Sequence, residues 1–193
     1  MAAILMGWIN AEILAAHQIA ISLAAISYMA ATGLGAAANV RVSNQLGAND
    51  IPAMRLAAHT NFIMTLYFMA FAGLVYFFGR NWLPTFYSND PAVVNLASRL
   101  LIVAVFFQLF DGVQVTALGA LRGISETKIP TYITLFSYWV VGLPCCYLFG
   151  IVLKWGGMGV WYGLALGLIC SSVLLYTRFE KRSKQLLTAP HNE

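Results

Sequence analysis

The chain has 193 residues, of which 60% are apolar and only 9% are charged, and its mean hydropathy is +0.75. This composition excludes an ordinary water-soluble domain and indicates an integral membrane protein. The net charge of +4 does not by itself indicate nucleic-acid binding, because no basic and aromatic recognition patch stands out in the sequence.

The first predicted element is the short apolar segment at residues 1–11, MAAILMGWINA. It is too short to cross a bilayer alone, and it lacks the basic flank and the small-residue cleavage site of a signal peptide. We therefore expect a partial helix here, the end of a membrane helix whose beginning is missing.

Five full membrane spans are predicted after this segment, because each apolar run reaches the roughly 20 helical residues that cross a hydrocarbon layer. The runs are continuous rather than alternating, which favours helices over a barrel. The sequence thus predicts an all-α, polytopic membrane helix bundle at residues 1–178, followed by a solvated cytoplasmic polar tail at 179–193. The spans are expected at about residues 13–46, 52–79, 92–121, 129–153 and 157–178.

The basic residues predict the orientation, because cytoplasmic loops of membrane proteins collect Lys and Arg. With the C-terminus in the cytoplasm, only Arg80, Arg99 and Lys154 lie on the outer side. The other eight of the eleven basic residues are then inside, which leaves no unexplained basic patch, and we expect no nucleic-acid partner. These eight are Arg41, Arg55, Arg122, Lys128, Arg178, Lys181, Arg182 and Lys184.

Asp111 is the only charged residue between Leu100 and Leu121. A carboxylate at the centre of a membrane helix costs roughly 2.5 to 3.5 kcal/mol, so such an acid is expected to face a bundle interior or a water-filled path. We interpret it as an ion site in a transporter. The alternative is a neutral acid that only holds helices together by hydrogen bonds.

Helical spacing places Phe107, Gln108, Gln114 and Val115 beside Asp111. Two amides next to one acid can accept a cation or bond to a protonated carboxyl group. Phe107, Gln108 and Gln114 are therefore predicted to line a cavity or contact a substrate.

The span at 13–46 has a polar face of its own, which includes His17, Tyr28, Thr32, Gly35 and Asn39. Tyr28 and Asn39 are candidates for lining a cavity, and the alternative is a face that packs within the bundle. His17 is more simply interpreted as a helix-end or packing histidine. The small residues at 31–38, and the GxxxGxxxG pattern in the last span, predict close helix packing.

Motifs of enzymes and of metal sites are not found. The sequence has no GxSxG, GxxxxGK[ST] or HExxH pattern, Asp111 has no second acid in its span, and the three cysteines lack the spacing of a zinc site. We therefore predict that the chain is not an enzyme, needs no cofactor, and holds no metal beyond a possible Na⁺ at Asp111.

Three stretches carry a resemblance to a known family. Residues Ala15–Ala48, AAHQIAISLAAISYMAATGLGAAANVRVSNQLGA, are followed by FQLFDGVQVTALGALRG at Phe107–Gly123 and SYWVVGLP at Ser137–Pro144. In this order and spacing they resemble the C-terminal lobe of the multidrug and toxic compound extrusion (MATE) family, in its bacterial drug and cation antiporter branch. The resemblance covers essentially the whole chain.

The resemblance implies one six-helix lobe, with its first helix truncated, of a twelve-helix transporter whose N-terminal lobe is missing here. It implies that Asp111 is the cation-binding acid and that Tyr28 lies near cation and drug. Phe107 departs from the tyrosine that some relatives have there. A partner acid on the truncated helix is expected about five residues before Met1.

By the same resemblance, the protein resides in the bacterial inner (plasma) membrane, contacts lipid, and exchanges small organic substrates, often cationic, for Na⁺ or H⁺. Two other functions are considered. A lipid-linked saccharide flippase of related architecture would be favoured by cationic groups lining the cleft. A non-transporting membrane fragment or scaffold would agree with the missing lobe.

Overall fold

The computed structural model describes residues 2–188, and this part of the chain consists of helices and short connections without any strand. Five of its six helices are long and apolar enough to cross a membrane, so the predicted all-α polytopic bundle is confirmed. The helices are α1 (Ala2–Ile9), α2 (Ala11–Gly47), α3 (Ile51–Gly79), α4 (Pro91–Gly123), α5 (Lys128–Val152) and α6 (Gly156–Thr188).

Three helices have an N-cap residue whose side chain hydrogen-bonds to the first turn. Asn10, Asp50 and Asp90 precede α2, α3 and α4, and each accepts a hydrogen bond from a backbone N–H of its helix, at 3.2, 2.9 and 2.9 Å. Such caps satisfy donors that the first helical turn leaves without partners. The break at Asn10 makes residues 2–9 a separate short helix ahead of the first long one.

Helix α5 is irregular in its second half. It contains two π-helical segments, Ser137–Gly142 and Leu148–Val152, on either side of a short α-helical stretch that includes Pro144. Proline has no N–H to donate to the preceding turn, which disturbs the regular pattern of hydrogen bonds around it. The first π-helical segment contains Tyr138, whose side chain faces α4.

Helix α4 is the centre of the bundle, with contacts to α2, α3 and α6. It approaches α2 so closely that a Cβ atom on Gly119 would overlap the carbonyl group of Gly35. A Cβ atom on Gly35 would in turn lie 2.7 Å from Cγ1 of Val115. The small residues predicted to allow close packing therefore bring two backbones together.

Helix α6 packs against α5 through the GxxxGxxxG pattern. Cβ atoms on Gly159 and Gly163 would overlap the backbone of residues 149–150 and 145–146, and one on Gly167 would lie 2.9 Å from Cα of Gly142. Glycine at these three positions is what lets the two helices meet.

The last helix continues past the predicted end of the last span. Helix α6 runs to Thr188, so residues 179–188 of the predicted polar tail are helical. Leu175, Phe179 and Ser183, which are spaced four residues apart, are fully buried. The apolar face of the span thus extends past the basic residues that suggested a boundary. Residues 189–193 of the predicted tail lie outside the described residues.

Ion pairs hold this extension of α6 against the rest of the bundle. Glu180 pairs with Arg55 at 3.0 Å and lies 3.1 Å from Nε2 of His59, both on α3. Arg178 pairs with Glu126, which follows α4. The end of α6 is therefore fixed to the start of α3 and to the α4–α5 connection.

We predict that Gly119→Ala destabilises the bundle, because the added methyl group would force α4 away from α2. The expected loss in the free energy of unfolding is about 1–3 kcal/mol, the range found for overpacked cores. Thermal unfolding in detergent micelles would measure it.

Gly33→Ala is the matched control, because Gly33 lies on α2 and a methyl group added to it would have no neighbouring atom within 4 Å. It should be neutral or slightly stabilising, since alanine favours helix more than glycine does. Equal stability of the two variants would contradict the close contact.

Candidate binding site around Asp111

Asp111 lies about two-thirds of the way along α4 and faces a pocket of about 380 Å³ between α4, α2 and α5. Its side chain is largely buried, with 8% exposure. It is the only charged residue among those that line the pocket. The lining residues are Ile21, Ala24, Ala25, Tyr28, Phe107, Gln108, Asp111, Gln114 and Tyr138.

The pocket contains five of the six residues named from the sequence. Tyr28 comes from α2, and Phe107, Gln108 and Gln114 come from α4 together with Asp111. They share the pocket because residues three and four apart on α4 lie on one face, and the glycine contact sets α2 beside that face.

Asn39 is not among the residues that line the Asp111 pocket. It lies three turns further along α2, in a neighbouring pocket of about 190 Å³ that also includes Tyr28, Thr32, Gly35 and Arg122. The polar face predicted on α2 therefore lines two adjacent pockets that have Tyr28 in common.

Tyr138 is a pocket residue that the sequence reasoning did not select. Its hydroxyl group donates a hydrogen bond of 3.0 Å to Oε1 of Gln114. Its position inside the motif SYWVVGLP was the one sequence feature that could have selected it as a site residue. The π-helical turn that turns it toward α4 cannot be read from spacing that assumes a regular α-helix.

Gln108 is held by a chain of hydrogen bonds that runs to α2. Its Nε2 donates to Oγ of Ser27 at 2.7 Å, and the Ser27 hydroxyl donates to the Ala24 carbonyl at 2.8 Å. Because that hydroxyl has already used its only proton, it must accept from Gln108, which fixes the orientation of the amide. Oε1 of Gln108 is then a buried acceptor with no donor among the described residues.

Phe107 and His17 both contact Trp161 of α6. The rings of Phe107 and Trp161 are 6.1 Å apart between centroids, and Nε1 of Trp161 donates to Nδ1 of His17 at 3.2 Å. His17 is buried by this contact and does not line the Asp111 pocket. His17 is thus a packing residue, and its partner Trp161 also contacts Phe107, which lines the pocket.

Residues 2–188 hold no group of three or more His, Cys, Asp or Glu side chains that could bind a metal ion. A monovalent cation at Asp111 would therefore have one carboxylate and the neutral oxygens of tyrosine and amide side chains. Oxygen ligands of this kind suit hard cations.

Fold and site together define a polytopic membrane protein with a single acid in a helix-lined pocket. The family model described as MatE matches residues 1–148, and the chain belongs to this family. The resemblance found in the sequence motifs is therefore confirmed.

Two curated relatives illustrate the similarity. The "Probable multidrug resistance protein NorM" of Xanthomonas axonopodis pv. citri is 40% identical over 184 residues, which are 95% of this chain and 40% of that protein. The protein of the same name from Pseudomonas putida is 40% identical over 191 residues, which are 96% of this chain and 41% of that protein. The chain thus spans about 40% of the length of the curated relatives it matches.

Solved structures share the fold. The eukaryotic MATE transporter AtDTX14 has a TM-score of 0.83 at 26% identity, over 91% of this chain and 40% of its own. An outward-facing multidrug resistance MATE family transporter has a TM-score of 0.89 at 14% identity, over 97% of this chain and 42% of its own. The relatives and solved structures of this family are named as transporters or multidrug resistance proteins, and MATE family transporters are not enzymes.

We predict that Ser27→Ala destabilises the protein, because the Gln108 amide loses its acceptor while it stays buried. A buried donor without a partner costs about 1–3 kcal/mol, which a shift of thermal unfolding in detergent would reveal.

Ser43→Ala is the control variant. Ser43 lies on the same helix and donates to a backbone carbonyl three residues earlier, as Ser27 does, but it is exposed to solvent. Its substitution should change stability little, and an equal loss in both variants would show that the buried bond to Gln108 has no special role.

Proposed function

We propose that the chain is the C-terminal half of an antiporter that moves amphipathic organic compounds out of the cell in exchange for Na⁺ or H⁺. The observation that carries this proposal is the pocket around Asp111, within a helix long and apolar enough to cross a membrane. The names of the relatives as multidrug resistance proteins and MATE transporters support it.

The electrostatics of the pocket favour a cationic occupant. A carboxylate that is removed from water is unstable without a counter-charge, so Asp111 gains most from a bound Na⁺, a proton or an organic cation. Tyr28, Gln108 and Gln114 add neutral oxygens around it. The proposed role of Asp111 is therefore to bind the coupling cation.

The size and the walls of the pocket fit part of an organic substrate. A volume of about 380 Å³ lies within the range of roughly 300–1,000 Å³ for small-molecule sites. The aromatic rings of Tyr28, Phe107 and Tyr138 lie around the single acid, and such rings attract organic cations. The remaining wall of the cleft would come from the other lobe of the transporter.

Ion entry is coupled to substrate export because the coupling ion and the cationic substrate compete for the carboxylate of Asp111. If the carboxylate holds either the ion or the cationic substrate, binding of the ion from outside weakens the hold on the substrate there. Alternating access then requires that ion and substrate have different affinities for the inward-facing and outward-facing states.

The two alternatives are less well supported. A flippase for lipid-linked saccharides calls for several cationic groups around the cargo. The pocket in the apolar part of α4 contains an acid instead, and Arg122 is the single base among the described residues that line the adjoining pockets. A scaffold without transport offers no reason to keep an acid in a membrane helix, at the cost that insertion imposes.

The proposed setting is the bacterial plasma membrane, with the C-terminus in the cytoplasm and lipid around the apolar outer faces. The ion pairs of Arg55 with Glu180 and of Arg178 with Glu126 support the orientation. Through these pairs, basic residues assigned to the inner side gather at one end of the bundle, as cytoplasmic Lys and Arg residues do.

We predict that Asp111→Asn abolishes ion-coupled efflux, because the amide keeps the shape of the side chain but cannot carry the charge. The measurement is dye efflux from cells that express the complete gene containing this chain. Proteoliposomes with an imposed Na⁺ or pH gradient then identify the coupling ion, since the gradient that drives wild-type transport should have no effect on the variant.

Glu12→Gln serves as the control, because it removes an exposed carboxylate at the start of α2. It should transport as the wild type does. Normal gradient-driven efflux by Asp111→Asn, at equal amounts of protein in the membrane, would rule out the proposed role of this acid.

A further inference from the structure

Arg122 lies on the same face of α4 as Asp111. The two residues are eleven positions apart, which is about three helical turns, or about 16 Å along the axis at 1.5 Å per residue. Val115 and Leu118 lie between them at intervals of three or four residues. One stripe of α4 therefore carries an acid in the apolar part of the helix and a base one residue before its C-terminal end.

Pockets follow this stripe from one charge to the other. The neighbouring pocket of about 190 Å³ shares Tyr28 with the Asp111 pocket and has Arg122 in its wall. A third pocket, of about 340 Å³, shares Tyr138 with the Asp111 pocket and is also lined by Arg122, together with Thr131, Thr134 and Trp139. Arg122 is thus the charged residue common to two pockets next to the proposed cation site.

The guanidinium group of Arg122 is available for a ligand. Arg55 pairs with Glu180, and Arg178 and Arg182 both pair with Glu126. Glu126 is only four residues after Arg122, yet its carboxylate is directed to α6. Within residues 2–188, no acidic side chain lies within ion-pair distance of Arg122.

We propose that Arg122 is an anion-binding site at the inner end of the cleft. It recognises a carboxylate, or another group with anionic oxygens, on an organic substrate. A guanidinium group binds such oxygens through two parallel hydrogen bonds, and the rings of Tyr138 and Trp139 supply apolar contact beside it. The site therefore selects compounds that carry an anionic group in addition to a cationic one.

This inference rests on the proposed function, because the substrate has to enter the cleft. It goes further in assigning a second charge preference to the transporter. The phosphate of a membrane lipid has the same anionic oxygens and is the competing occupant of Arg122, so the experiment has to separate the two sources.

The test compares two dyes that differ in one group. Rhodamine B carries a free carboxylate beside its cationic ring system, and its ethyl ester has the same ring system without that charge. Binding of each dye to the purified product of the complete gene containing this chain is measured by fluorescence anisotropy in nanodiscs of phosphatidylcholine, with and without added phosphatidylglycerol. The ratio of the two dissociation constants reports recognition of the carboxylate.

For Arg122→Gln we expect the preference for rhodamine B over its ester to fall roughly tenfold, the equivalent of one charge-assisted hydrogen bond. Arg122→Lys should retain part of the preference, because it keeps the charge without the paired geometry. Arg41→Gln removes an exposed charge from α2 that lines none of these pockets, and it should leave the ratio at the wild-type value.

An unchanged ratio in Arg122→Gln would overturn the inference, and it would do so in either lipid mixture. A change in the effect of phosphatidylglycerol with no change in the ratio would assign Arg122 to lipid and would also overturn it. The ester dye reports on the proposed function separately: if the complete wild-type protein does not bind the ester, the proposed cation pocket fails whatever the effect of Arg122.

Discussion

The site depends on how closely α4 approaches α2. At Gly35 and Gly119 the two backbones are in contact, and a single methyl group on Gly119 would collide with the facing carbonyl. This contact fixes the distance at which Tyr28 of α2 stands beside Asp111 of α4. The same helix α4 also packs on α3 and α6, so the acid is carried by a helix that other helices hold on several sides. The position of a costly buried charge is thereby set by rigid packing rather than by a loop.

Polar groups around Asp111 are held by contacts that leave the acid itself free for a ligand. Gln114 accepts from Tyr138, and Gln108 is anchored through Ser27 to the backbone of α2. No described residue donates a hydrogen bond to the Asp111 carboxylate, and the pocket opens beside it. Preorganised surroundings and an acid without a hydrogen-bond donor within residues 2–188 support the proposed binding of a cation more than the alternative role of holding helices together.

Charged residues have two different roles at the end of the bundle where α4 and α6 terminate. Glu126 and Glu180 bind arginines of α3 and α6 and fasten the long extension of the last helix. Arg122 takes no part in these pairs and lines the pockets that adjoin the Asp111 site. The structural ion pairs and Arg122 therefore lie at the same end of the bundle but share no partner among the described residues.

The sequence by itself determined the class of the protein and the five membrane helices, and it singled out Asp111 as the candidate site, because apolar length and a lone charge are local properties. It also grouped Phe107, Gln108 and Gln114 with Asp111, since helical spacing along one element is regular.

The tertiary structure decided what depends on contacts between elements. It separated Asn39 from the Asp111 pocket and buried His17 against Trp161. It brought in Tyr138 through a π-helical turn, and extended α6 beyond the predicted boundary by burying Phe179 and pairing Glu180 with Arg55. Those outcomes depend on packing between helices that are distant in the sequence. The spacing of residues along one helix does not show which other helices it contacts.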